Sequence, residues 1–134
     1  MAGLFLWGFK MAFVIKEDLR IQWPIKVSIP ADGGTFQDFE FIGVFNRRSP
    51  AQLHELANSA SSDDLGFPEM LASNVDKFAE VLTDWSGVKD TAGQAVPFSM
   101  EVLRKLVTGP DGAAFSRGIW TALNELAYGV REKN

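Results

Sequence analysis

A chain of 134 residues fits one domain whose core can stand without disulfides or metal. Its 46% apolar and 22% charged residues are an ordinary globular balance, which excludes disorder along the whole length. Thirteen basic against seventeen acidic side chains give a net charge of −4, a poor match to a nucleic-acid phosphate backbone, and the lack of cysteine removes disulfides, thiolate metal sites and cysteine nucleophiles.

The first residues, MAGLFLWGFKMAFVI, are apolar up to an interruption at Lys10. The run is shorter than a membrane span of about 20 residues, and it lacks both a basic leading flank and a small-residue cleavage site. No membrane contact and no signal peptide are expected. Three readings fit: a packed first strand, a flexible or sticky arm over residues 1–12 that docks on a partner, or an extension ahead of a natural start at Met11. We favour the last, then the arm, and expect one domain over residues 13–134.

Period-two alternation begins at Ile25: Ile25, Val27 and Ile29 share one side, Lys26 and Ser28 the other, and Pro24 and Pro30 bracket the strand. Pro30-Ala31-Asp32-Gly33-Gly34 is a turn signal, and Phe36 to Phe45 reads as a returning strand, so a β-hairpin is expected. That strand is apolar on both sides near its end, with Phe39, Phe41 and Phe45 on one and Phe36, Ile42 and Val44 on the other. One face should meet helices, and the other a further strand or another subunit.

Ser49-Pro50-Ala51-Gln52 has the form of a capping box with proline at the first helical position, opening a helix to about Ala60. His54 reads as a surface imidazole on it; alone, it leaves a zinc shell or a serine triad short of donors. Asp63 and Asp64 follow in a polar loop and read as caps for the next helix. Pro68 opens that helix, whose apolar residues Leu71, Val75, Phe78, Leu82 and Trp85 fall at helical spacing.

Trp85 to Ser99 is a shaped connector. Gly87 and Gly93 suit a positive φ, and Pro97 biases Val96 toward extended backbone. Its large apolar residues Trp85, Val88, Val96 and Phe98 should press it onto the domain. Ser99 caps a short helix that Thr108-Gly109-Pro110 stops, and Asp111 caps a last helix striped by Phe115, Ile119, Ala122 and Leu126. Trp120, Leu123 and Ala127 widen that stripe, which predicts burial on two sides. The fold class is therefore α+β: an N-terminal antiparallel hairpin or small sheet followed by about four α-helices.

No phosphate-cradling loop appears, and Gly109-Pro110-Asp111-Gly112 reads as a tight turn, so no enzyme, cofactor or metal is expected. Two ordered blocks go further. The first holds Pro24-Ile25-Lys26-Val27, the Pro30 to Gly34 turn, Phe45-Asn46-Arg47-Arg48-Ser49 and the helix Gln52 to Leu56; the second holds Asp84-Trp85-Ser86-Gly87-Val88, Asp90, Gly93 and Val96-Pro97-Phe98-Ser99. Together, over about residues 13–130, they resemble the tail assembly chaperones of long-tailed bacteriophages and prophages. The resemblance implies a non-enzymatic protein of the host bacterial cytoplasm, absent from the mature virion. It would keep the tape-measure protein soluble and help recruit the tail-tube protein, with a homo-oligomer as a further expectation. Shared apolar surface is what such a role needs. Phe39 and Phe41 of the strand, Trp85, Val88 and Phe98 of the connector and Trp120 of the last helix are the candidates, with core packing the competing role for each. The rivals are a permanent component of a phage tail or head-tail junction, and a small enzyme using Asp63, Asp64, Glu69 and His54.

Overall fold

The computed structural model describes residues 10–58 and 66–130. The hairpin is longer than its prolines suggest: strand β1 spans Arg20–Ala31, β2 spans Thr35–Asn46, and they pair antiparallel from Arg20↔Asn46 to Ala31↔Thr35. Pro24 and Pro30 lie inside β1 rather than at its ends. They are tolerated because β1 is an edge strand, and both fall on the phase whose missing N–H points away from β2. The expected turn joins the strands, with Gly33 and Gly34 at φ 84° and 76°.

Helix α1 spans Pro50–Asn58, and its capping box is formed in both directions: Ser49 N donates to Gln52 Oε1 at 2.9 Å, and Gln52 N donates to Ser49 Oγ at 3.1 Å. Asp63 and Asp64, expected to cap the next helix, lie outside the described residues, as do Met1 to Phe9. Helix α2 spans Phe67–Val81 and starts from Gly66, without a side-chain cap.

The stripe from Leu71 to Trp85 does not lie on one helix. After Val81 the chain passes directly into a third strand, β3, Leu82–Ser86, which pairs antiparallel with β2 through Phe45↔Leu82, Val44↔Asp84, Gly43↔Trp85 and Ile42↔Ser86. Thr83 is the extra residue of a bulge, and its hydroxyl donates to Val44 O at 3.1 Å. In a regular strand, residues three apart face opposite ways. The bulge turns both Leu82 and Trp85 to the core, so a helix-like spacing is satisfied by a strand.

Helix α3 spans Met100–Thr108, with the Ser99 hydroxyl accepting from Val102 N at 3.1 Å. Helix α4 spans Gly112–Tyr128. Asp111 precedes it but makes no side-chain cap bond, because its φ of −100° and ψ of 17° belong to the Gly109–Gly112 turn and not to the extended conformation of a capping residue. The result is an α+β fold with a β1-β2-β3 antiparallel sheet.

The helices cover one face of that sheet. Phe45, Phe78, Ile25, Leu103 and Ile119 are fully buried where the layers meet. As the wide apolar arc predicts, α4 is buried on two sides, against β1 and against the other helices. Gly118 lets α4 settle on β1: a Cβ there would overlap the Lys26 carbonyl oxygen and come within 3.3 Å of Ile25 and Val27.

Three basic side chains hold helix ends from positions distant in sequence. Lys77 Nζ donates to Ala57 O at 2.8 Å, Arg48 Nη2 to Glu80 O at 3.1 Å and Arg47 Nη2 to Leu126 O at 3.4 Å. These carbonyls lie in the last turns of α1, α2 and α4, where no intrahelical donor is left and the helix dipole favours a cation.

Candidate partner-binding surface

The connector is clipped onto the domain through Trp85. Its indole Nε1 donates to Val96 O at 2.8 Å, and its ring meets Phe41 and Phe98 edge to face, with centroids 5.8 and 5.0 Å away. Val96 N donates to Val88 O at 2.8 Å and Asp90 N to Gln94 O at 2.9 Å, making a small hairpin. The Asp90 carboxylate accepts from the amides of Ala92 and Gln94 at its tip. Gly87 and Gly93 supply the expected positive φ, 89° and 79°.

The six aromatic and apolar candidates therefore divide. Trp85 and Phe41, at 6% and 7% exposure, are core residues; as packed they offer no surface to a partner, which corrects their selection. Burial wins because each ring touches two aromatic neighbours. Val88 and Phe98 are half-buried against the same core, and Trp120 is half-buried with its ring 5.1 Å from that of Phe78. Phe39 alone is left largely in solvent, at 48%.

Its partner across the hairpin, Val27, is buried under α4 at Gly118, so at this rung the helix layer covers β1 and leaves β2 open. Twelve residues extend for roughly 40 Å, and the strands continue past the buried pair Ile25↔Phe41 toward the turn. In this distal part Phe36 is 66% exposed on the face away from the helices, and Phe39 lies on the helix side. A shallow depression of ≈ 450 Å³ runs over it, lined by Lys26, Val27, Ser28, Asp38, Phe39 and Glu40. Phe36 is exposed without being among the six candidates. Its place on the opposite side of β2 from Phe41 and Phe45, in alternation with Asp38 and Glu40, was the signal.

The second exposed element is residues 10–19, which lie outside any helix or strand, so the arm expected over residues 1–12 runs on past residue 13 to the start of β1. Met11, Phe13, Val14 and Ile15 are all in solvent, Phe13 to 92%. At its root Leu19 O accepts from Arg47 N at 3.0 Å, adding one rung to the hairpin ladder. Asp18 accepts from Arg20 N, Nε and Nη2 at 3.0 to 3.2 Å. The side-chain hydrogen bonds from Arg20, then the bond from its amide, hold the Asp18 carboxyl below its ordinary value, and the same pairing raises the Arg20 guanidinium.

His54 and Glu69 are exposed on α1 and α2. Among the described residues no three His, Asp or Glu side chains lie close enough to hold a metal, and no helix is long and apolar enough to cross a membrane. No family model, curated protein or solved structure matches the chain.

Proposed function

We propose that this chain is a non-enzymatic tail assembly chaperone of a long-tailed bacteriophage or prophage. It acts in the host cytoplasm, binds the tape-measure protein, helps recruit tail-tube subunits and is left out of the mature virion. The observation that carries the reading is the apolar arm Met11 to Ile15, held in solvent beside a domain whose own core is closed. Four large apolar side chains within five consecutive positions gain nothing from water, and exposed apolar clusters mark surfaces meant for a partner. Phe36 and Phe39 on the distal hairpin extend the available surface. The two sequence blocks that resemble the family lend support of a different kind: Arg47, Arg48, Ser49 and Trp85 within them are structural residues, so they bear on the fold and not on client contact.

Co-expression with the tape-measure protein of the same gene cluster tests the reading. The tape-measure protein is expected to become soluble and to co-purify with the chain, and Phe13→Asp with Ile15→Asp is expected to abolish both effects. No complex and no gain in solubility refutes it. A permanent place in the tail is the second reading, favoured by the long projecting hairpin, a shape suited to subunit packing. Mass spectrometry of purified particles separates the two: a chaperone is missing, a tail component is present in many copies.

A further inference from the structure

We propose that the arm of one copy, Lys10 to Lys16, docks on the outer face of the distal β1–β2 hairpin of a second copy. Met11, Phe13 and Ile15 would lie toward Phe36 and Pro30, with Lys10 and Lys16 beside Asp38 and Glu40. The inference does not rest on binding of a tape-measure protein.

Charge is the first argument. Lys10 to Lys16 carries two lysines and no acid, whereas Ala31 to Glu40 carries Asp32, Asp38 and Glu40 and no base. Lys26, opposite Glu40, leaves the distal hairpin net acidic. Phe36, Asp38 and Glu40 alternate along β2 and so share the face away from the helices, where β1 sets Pro30, Ser28 and Lys26 opposite them. Met11, Phe13 and Ile15 likewise alternate, so an extended arm presents all three on one side and its lysines can reach past them to the acids.

The prolines decide how the arm can bind. With Pro24 and Pro30 on the free edge of β1, that edge lacks two of the donors an added strand would use, so the face is favoured over the edge.

Reach decides whose arm it is. Phe36 pairs with Pro30, about 33 Å along β1 from Arg20, while Phe13 of the same molecule can lie at most about 20 Å from Leu19 at the rise of an extended chain. Phe13 therefore falls short of Phe36 in its own copy. A second copy brings the two together, and a two-fold arrangement satisfies both arms and both hairpins at once.

Sedimentation velocity on the full chain over roughly 1 to 100 μM tests the inference by mass action. A concentration-dependent dimer is expected, weakened at least tenfold by Phe13→Asp and by Phe36→Asp. Lys10→Glu with Lys16→Glu, which lie outside the packed core, should weaken it too, and adding Asp38→Lys with Glu40→Lys should restore it. Because the chain has no cysteine, Ile15→Cys in a tagged copy and Ser28→Cys in an untagged copy report the contact directly: on mild oxidation the mixed disulfide should exceed both like-with-like products. A monomer across the whole range, a dimer that survives Phe13→Asp, or a mixed disulfide no more abundant than the like pairs overturns the proposal.

Discussion

Trp85 gives the sharpest test of whether an aromatic residue here serves the core or a partner. Trp85→Phe removes the indole N–H and leaves Val96 O without that donor, a loss of about 1 kcal/mol. The narrower ring also forfeits packing in a closed site, for about another 1 kcal/mol. Trp85→Ala deletes both edge-to-face contacts, with Phe41 and Phe98, and is expected to cost about 3–5 kcal/mol. Against the roughly 5–15 kcal/mol that holds a native domain, the alanine variant is severely weakened and the phenylalanine variant is not. Urea unfolding followed by far-UV circular dichroism is the suitable assay, because the chain contains four tryptophans and fluorescence would mix their signals. Amide hydrogen exchange should also quicken first between Val88 and Val96, the small hairpin that Trp85 clips down. A Trp85→Ala cost under about 1 kcal/mol would show that the residue is not part of the core, and would return it to the list of partner contacts.

Gly118→Ala should destabilise the protein by about 1–3 kcal/mol in urea unfolding, although alanine is the better helix former, because the new methyl meets the Lys26 backbone across the α4–β1 contact. A stabilised variant would contradict that close approach. Ser49→Ala should cost about 1 kcal/mol through the lost capping box, whereas Asp111→Ala, which removes no cap bond, should cost less; equal losses would count against the assigned caps. Asp18, with its carboxyl held low by Arg20, adds stability to the arm root above its ordinary range and loses it as pH falls through the lowered value. Its carbon-13 NMR titration midpoint should therefore lie below that of an unpaired aspartate and return toward it in Arg20→Gln; an unchanged midpoint would show that the pair does not form in solution.

What could be read from the chain alone was local. The capping box at Ser49 and Gln52, the Ser99 cap, the positive-φ glycines 33, 34, 87 and 93 and the stop at Gly109 each depend on residues a few positions apart, so their chemistry is complete within the sequence. Alternation along β1 and β2 carried the hairpin in the same way, and with the helical periodicities it determined the α+β class.

Tertiary structure decided whatever needed a distant partner. Leu82 and Trp85 keep a helical spacing, yet they form a strand because β2 offers a pairing edge and the bulge at Thr83 turns both side chains inward; nothing within residues 71–85 records that edge. The same holds for the candidate surface. Phe41 and Phe39 alternate on one side of one strand and look equivalent in sequence, but Phe41 lies beneath Phe115 while Phe39 stands beside α4, which covers its partner Val27 instead. Burial depends on which strand a helix lies over, and that is a property of the packed domain rather than of the residue.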